Sequence, residues 1–416
     1  MKLELVATAT FGLEAVVRRE IEALGYKVIK TEDGRVTYMG DERAVVRSNL
    51  WLRSADRVYI RMGEFEAKEF EELFQQTKAL EWESIIPLEG AFPVVGGSVK
   101  STLHSVPACQ KIVKKAISTR LGEFYFKDQL PETGAEYKIR FIAHKDKFLL
   151  LMDTSGAGLH KRGYRVRDVA APMKETLAAA LVQLSFYKKD RVLMDCCCGS
   201  GTIPIEAALI ARNIAPGLNR SFASEDWDLI PQDIWKDERS KAYRAIDTET
   251  IGSKGNESNE NEANEIEANE NEVNEFTPLR ISAMDIEKKA FIAAKANAEE
   301  AGVIDDIDFI CMDMTKWEPG GGIPKGVGRD EPVVVISNLP YGMRIGDDAG
   351  LTGIYRHIRE IMEDCPRWSF FLITADKKLE KELGRKADRR RKLYNGQIET
   401  QFYQFHGIRP QKNVIE

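Results

Sequence analysis

Long apolar runs are missing from this sequence of 416 residues. None approaches the roughly 18 residues that a membrane-spanning helix requires, so an integral membrane protein is not expected. Met1–Leu5 (MKLEL) shows no basic start followed by an apolar stretch, so no signal peptide is expected and the default compartment is the cytoplasm. Cysteine is also scarce. The six residues are Cys109, Cys196, Cys197, Cys198, Cys311 and Cys365; they form no C-x-x-C pair, and no H-E-x-x-H occurs. A metal site is therefore not expected, and the thiols are expected to be free rather than paired. A surplus of positive charge is lacking too. The net charge of −6 looks unsuited to a polyanionic partner.

That acidity is concentrated in one place. Residues 256–275 (NESNENEANEIEANENEVNE) hold eight Glu and seven Asn with no Lys or Arg, and without them the chain carries about +2. The neutral to slightly basic remainder is compatible with RNA. The tract has no apolar periodicity and can bury almost nothing, so a disordered surface insertion is expected over about 249–276.

The chain as a whole has the 43% hydrophobic and 30% charged residues of a globular protein, and its length allows two or three domains. The expected fold class is α/β throughout. Residues 1–65 read β-α-β-β-α-β: strand Leu3–Ala7, helix Phe11–Leu24 stopped by Gly25, strands Tyr26–Ile29 and Val36–Met39, helix Asp41–Leu50, strand Arg57–Met62. That order predicts a ferredoxin-like unit. Residues 66–155 read as a second α/β segment with helices Ala67–Leu80 and Val106–Leu121. Phe92–Val99 is expected as a strand broken at Gly96-Gly97, and Tyr137–Ala143 and Phe148–Asp153 as a hairpin. Residues 156–416 alternate strand and helix, which predicts a doubly wound, Rossmann-like parallel sheet. The turn Asn395-Gly396 before the alternating run Ile398–Phe405 adds an antiparallel terminal hairpin.

Four strand ends in this third unit carry chemistry. The first, Val192–Asp195, runs into Cys196-Cys197-Cys198-Gly199-Ser200-Gly201-Thr202. Gly199 and Gly201 allow a sharp turn and close ligand approach, and the helix that follows can attract a carboxylate. Asp195 can pair with an amino group and would be awkward beside a pyrophosphate. The second strand ends at Asp285, able to accept from two ribose hydroxyls. The third ends at Asp313, able to accept from an adenine amine.

The fourth strand ends in Ser337-Asn338-Leu339-Pro340-Tyr341-Gly342. The Asn338 side-chain oxygen and the Leu339 carbonyl can both accept from an NH2 group, drawing an aromatic amine toward a pyramidal nucleophile. Pro340 stiffens the turn, and Tyr341 can stack on a flat base. Positioning and fixed acceptors suffice when the leaving group is a sulfonium. The base must leave any stack to reach such a pocket.

Asp195–Thr202 with Asn338–Tyr341 resembles the class I methyltransferases that act on exocyclic amines. The ferredoxin-like start, the 66–155 segment, Leu159–Arg165 (LHKRGYR) and Ala171–Leu177 (APMKETL) resemble THUMP-domain methyltransferases, above all those of bacterial large-subunit ribosomal RNA that modify guanine N2. The resemblance spans nearly the whole chain outside the Asn/Glu tract. It implies S-adenosylmethionine as cofactor, held by Asp195, Cys197, Gly199, Gly201, Thr202, Asp285 and Asp313. It also implies a target base at Asn338, Leu339, Pro340 and Tyr341, and a THUMP RNA-binding unit over 66–155. Cys196-Cys197 replaces the more usual Pro-Phe, and Leu339 stands where Pro is more frequent.

The expected partner is 23S ribosomal RNA, with tRNA as the alternative. Candidate RNA contacts are Lys100, Lys111, Lys114 and Lys115; Arg162, Tyr164 and Arg165; and Arg389, Arg390 and Arg391. Adenine N6 is chemically close to guanine N2 and stays open. A nucleotide-dependent oxidoreductase would want a fuller G-x-G-x-x-G, where Pro204 stands here. A catalytically inactive RNA-binding protein of ribosome assembly would leave the intact Asp195, Asn338 and Tyr341 unexplained.

Overall fold

The structure is a computed structural model describing residues 1–167, 172–246, 278–319, 327–340 and 348–408. The Asn/Glu tract, Ala171 and Tyr341 lie outside the described residues.

The chain opens with β1 (Leu3–Ala9), α1 (Glu14–Ala23), β2 (Val28–Glu32), β3 (Arg35–Gly40), α2 (Glu42–Trp51) and β4 (Ala55–Glu66). Asp41 caps α2 by accepting from the Ala44 N–H at 2.9 Å. Then come α3 (Phe70–Lys78), β5 (Val94–Val99), α4 (Val106–Tyr125), β6 (Ile139–His144) and β7 (Lys147–Asp153). The first four strands have the expected ferredoxin-like order, but they do not close on themselves. β4 pairs antiparallel with β7, giving one seven-stranded sheet in the order β2-β3-β1-β4-β7-β6-β5. β5 is not broken at its glycines: it pairs in parallel with β6 along its whole length. Gly96 is there because a Cβ would collide with the ring and carbonyl of Phe141.

The second half supplies α5 (Glu175–Leu184), β8 (Val192–Asp195), α6 (Thr202–Ala211), α7 (Gln232–Arg244), β9 (Ile281–Asp285), α8 (Lys288–Glu300), β10 (Ile307–Cys311) and β11 (Val333–Asn338). It continues with α9 (Asp348–Asp364), β12 (Ser369–Thr374), α10 (Leu379–Leu383), β13 (Arg389–Asn395) and β14 (Ile398–Phe405). These strands form a sheet in the order β10-β9-β8-β11-β12-β14-β13, parallel from β10 to β12, with the β13–β14 hairpin antiparallel. Alternation sorts the sheet's side chains between two cores. Leu193, Ile281 and Ile336 face α5, α6 and α8, while Val192, Met194 and Val335 face α9 and α10. Successive strands leave β8 on opposite sides, so a crevice opens above the ends of β8 and its neighbours. Among the described residues no helix is long and apolar enough to cross a membrane.

The two halves are joined by more than a linker. Val17 and Ile21 of α1 enter the first core, while Val16 enters the second. Phe222, Trp227, Ile230 and Trp235 return from the 156–416 unit to pack into the first core. Helix α7, in that excursion, had no clear signal in the sequence.

Three expected RNA contacts are corrected here. Arg162 is buried: its guanidinium donates to Glu206 at 3.4 Å and to the carbonyls of Leu159 and Arg53. The Tyr164 hydroxyl is buried beside it and donates to the same Glu206 oxygen at 3.1 Å. Arg165 is spent on Glu175, Ser200, Thr202 and the Met173 carbonyl. Arg162 ties the second half to the first through the Arg53 carbonyl, Tyr164 and Arg165 brace the second half from within, and side chains engaged in this way cannot also grip a phosphate. Arg162→Ala should therefore act on stability. It leaves Glu206 as a buried, half-compensated charge, and the expected loss is about 3–5 kcal/mol. A melting temperature indistinguishable from wild type would refute this assignment.

Candidate active site

The crevice is floored by one carboxylate. Asp195, the last residue of β8, is buried. Its Oδ1 accepts from the Ser337 hydroxyl at 2.7 Å and from the Cys197 N–H at 3.2 Å. Its Oδ2 is buried with no partner. Burial pushes the carboxyl up to about 7, against the lowering effect of those two hydrogen bonds, and the nearby charge of Asp285 adds to the rise. An orphaned, buried carboxylate oxygen is costly unless a ligand completes it.

The loop after Asp195 explains its two glycines differently. Gly199 has φ +56° with open space where a Cβ would point, so a ligand can lie against its backbone. Gly201 has φ +82°, and a Cβ there would press on Ala294 of α8 at 3.0 Å. The first serves approach and the second serves packing. Thr202 begins α6, but its hydroxyl turns to Arg165 at 3.1 Å rather than to the crevice. Cys197 is half-buried, and its contribution on Asp195 is through its backbone.

Asp285, ending β9, braces the loop. Its Oδ2 accepts from the Gly199 N–H at 2.8 Å and its Oδ1 from the Glu287 N–H at 2.9 Å. Each oxygen keeps a second lone pair for a ribose hydroxyl. Asp285→Ala should weaken S-adenosylhomocysteine binding about tenfold or more, through the lost acceptors and the loosened loop. Unchanged affinity by calorimetry would remove Asp285 from the site. Asp313 lies two residues past β10 and holds the N–H and hydroxyl of Thr315, at 3.0 and 2.8 Å. Those bonds hold its carboxyl below the ordinary range.

Asn338 closes β11 on the other side of β8. Its Oδ1 is buried and, among the described residues, has no donor. The Leu339 N–H is fixed by the Ile373 carbonyl at 3.0 Å and its side chain is buried in the core below, which holds the turn that carries Asn338 and Pro340. Asp195 Oδ2 and Asn338 Oδ1, on adjacent strands, are thus two buried acceptors unmet among the described residues. Such acceptors suit a ligand that ends in an ammonium and a substrate that offers an aromatic amine.

Two positioning features escaped the sequence. Asn297, a buried polar residue on the alanine-rich face of α8, accepts from the Val166 and Arg167 N–H groups and donates to the Ser200 carbonyl at 3.1 Å. With Arg165 it straps the inter-unit linker to the back of the glycine loop. The signal was a lone Asn among Ala290, Ala293, Ala294 and Ala298. Ser337 is the other feature.

Of the remaining basic candidates, Lys100, Lys111 and Lys115 are exposed, whereas Lys114 donates to the Phe92 carbonyl and pairs with Glu132. Lys111, Lys114 and Lys115 line a cleft of about 480 Å³ with Pro93, Val94 and Gln110. Arg389 and Arg390 are exposed on β13, with Arg390 bonded to Glu380 at 3.0 Å. Arg391 is partly occupied by the Gly12 carbonyl at 2.5 Å.

A sheet of this order, with an acid ending β8 and the Asn338-Leu339-Pro340 turn ending β11, has the fold of a class I methyltransferase. The chain belongs to the family described as RMKL-like, methyltransferase domain, which matches residues 162–404. An RlmL ferredoxin-like domain matches residues 4–59 and a THUMP domain residues 67–153. "Putative RNA methyltransferase YpsC" of Bacillus subtilis is 44% identical over 418 residues, covering 100% of this chain and 99% of its own. A Listeria monocytogenes crystal structure described as "a predicted N6-adenine-specific DNA methylase" is 44% identical, with a TM-score of 0.84 over 98% of this chain and 97% of that one. SMU.472, described as "a putative methyltransferase complexed with SAH", is 39% identical, with a TM-score of 0.85 over 99% of both chains.

Proposed function

We propose that this S-adenosylmethionine-dependent methyltransferase methylates the exocyclic N2 of guanine in RNA, with 23S ribosomal RNA as substrate. The carrying observation is the pair of buried, unpartnered acceptors, Asp195 Oδ2 and Asn338 Oδ1, on neighbouring strands. Asp195 would take the cofactor's ammonium, the Gly199–Gly201 backbone would lie along its amino-acid end, and Asp285 would hold its ribose with Asp313 toward the adenine. The cofactor supplies a methyl group already activated by a sulfonium, so no strong base is needed.

The protein's part is to seat the amine. Asn338 Oδ1 would accept one N–H and the Leu339 carbonyl the other. The nitrogen lone pair then leaves conjugation with the ring and faces the donor. Tyr341 would stack on the base, as the resemblance implies. Because Asn338 Oδ1 is buried, the base must enter unstacked. RNA as the substrate is supported by the THUMP match and by the name of YpsC. Of the candidate cations, Lys100 just past β5, Lys111 and Lys115 on α4, and Arg389 on the hairpin are exposed and would meet phosphates, with the adjacent Arg390 bonded to Glu380.

The test offers radiolabelled S-adenosylmethionine to ribosomal RNA, tRNA and DNA, followed by nucleoside mass spectrometry. Label in N2-methylguanosine from ribosomal RNA supports the reading. Label from tRNA alone keeps the chemistry and changes the substrate. Label in N6-methyladenine would overturn the guanine assignment, since the same two acceptors can take either amine.

A further inference from the structure

Ser337 precedes the amine acceptor on β11 and takes no part in the reading above. Its side chain is fully buried, and its hydroxyl spends its one proton on Asp195 Oδ1, across to the neighbouring strand. Asp195 has two oxygens and one is left open; the choice between them is not made by Asp195 itself. The Cys197 N–H, at 3.2 Å, is the weaker of the two donors on Oδ1, and no donor in the described structure reaches Oδ2. The side chain is thereby held through Oδ1, leaving Oδ2 buried and open to a partner.

We propose that Ser337 is a positioning residue for the cofactor: it fixes Asp195 through Oδ1 so that Oδ2 alone meets the ligand's ammonium, and it ties the cofactor end of the site to the strand that carries Asn338. The inference rests on the placement of that ammonium at Asp195. Two physical effects follow from one hydrogen bond. The first is orientation: without it the carboxyl can rotate and offer neither oxygen squarely. The second is charge. A donated proton favours the carboxylate over the neutral acid, against the burial and the Asp285 charge that favour the acid. The thiols of Cys197 and Cys198 also lie near Asp195; the hydrogen bond with Cys196 and then burial push Cys197 well above its ordinary value, and burial does the same for Cys198, so neither adds a charge beside the carboxyl. Ser337 and the Cys197 N–H are the donors that hold the charge.

The coupling between the two ends is geometric. Ser337 and Asn338 are successive strand residues, so a shift of β11 that moves the amine acceptor also moves the hydroxyl that orients Asp195.

The test titrates S-adenosylhomocysteine into wild type, Ser337→Ala and Ser337→Thr by calorimetry across about pH 6–9, the range spanning the Asp195 carboxyl. Ser337→Ala should bind about tenfold to a hundredfold more weakly near neutrality, the range set by a hydrogen bond to a charged acceptor. The pH at which affinity falls off should move upward, while the melting temperature stays close to wild type. Ser337→Thr keeps the hydroxyl and should restore both affinity and pH profile. The ligand's own amine titrates identically in every titration, so the displacement between variants reports Asp195. Wild-type affinity and an unmoved pH profile in Ser337→Ala would overturn the proposal. If Ser337→Ala does not fold, Ser337→Cys, near in shape and a weak donor, is read by the same two measures. Asp195→Asn separates the two layers. If it binds like wild type, the ammonium is not at Asp195 and the Ser337 role falls with it. If it loses binding while Ser337→Ala does not, only the Ser337 role falls.

Discussion

Asn338→Ala should reduce methyl transfer by about a hundredfold to a thousandfold, the cost of deleting one fixed polar group from a preorganised site. S-adenosylhomocysteine should bind as it does to wild type, because Asn338 faces the amine and not the cofactor. The loss belongs in kcat: the acceptor matters most as the amine leaves its planar form, when its hydrogens become more acidic. Single-turnover rates with saturating cofactor give the measurement. Activity near wild type would end the amine-acceptor role. Folding should suffer little from the loss of Oδ1, which has no hydrogen-bond partner among the described residues.

Asp195→Asn is the second large effect, with opposite consequences for binding and stability. Its amide would turn an N–H toward the ligand's ammonium, leaving two donors face to face. Removing one partner of a buried charge pair costs about 2–5 kcal/mol, so affinity for S-adenosylhomocysteine should fall by at least about thirtyfold. Wild-type affinity should also decline as pH falls through about 7, where the carboxyl protonates, and the variant should lose that dependence. Stability runs the other way. The folded-state carboxyl titrates near 7 and the unfolded one near 3.8. Its contribution is therefore fully present below about pH 4 and lost as pH rises through 7. Above that, the unliganded wild type carries a buried charge without its partner, at a cost on the order of a few kcal/mol. Asp195→Asn should melt higher than unliganded wild type at pH 8, and a lower melting point would contradict the burial argument.

Much of the fold was legible because its cues are local. Apolar strands ending in Asp195, Asp285 and Asn338, the first running into a glycine loop and the last into a proline turn, mark the strand-end crevice without any knowledge of the packing. The β13–β14 hairpin was marked by Asn395-Gly396. What could not be read depends on partners remote in sequence. Arg162, Tyr164 and Arg165 look like solvent-facing charge in a loop, yet Glu206 lies 44 and 42 residues from the first two. Asn297, which holds the backbone of the same linker, lies 131 residues from Val166. Helix α7 escaped because its buried positions, Trp235, Glu238 and Ala242, are few and include an acid. The pairing of β4 with β7 escaped because nothing in either strand says that its free edge is shared. Ser337 was quoted only as a flank of the Asn338 motif, because a serine in an apolar strand reads as small rather than as a donor.

That shared edge bears on how such a chain could have been assembled. The segments matching a ferredoxin-like domain and a THUMP domain are distinct in sequence, yet β4 runs 12 residues and lends one side to β1 and the other to β7. Severing the chain between them would bare a long row of unpaired N–H and C=O groups, a template for aggregation. The two modules are separable as text but not as objects. Neither could have been traded between proteins without its neighbour, and proteolysis in the connecting loop should leave the nicked halves clinging together.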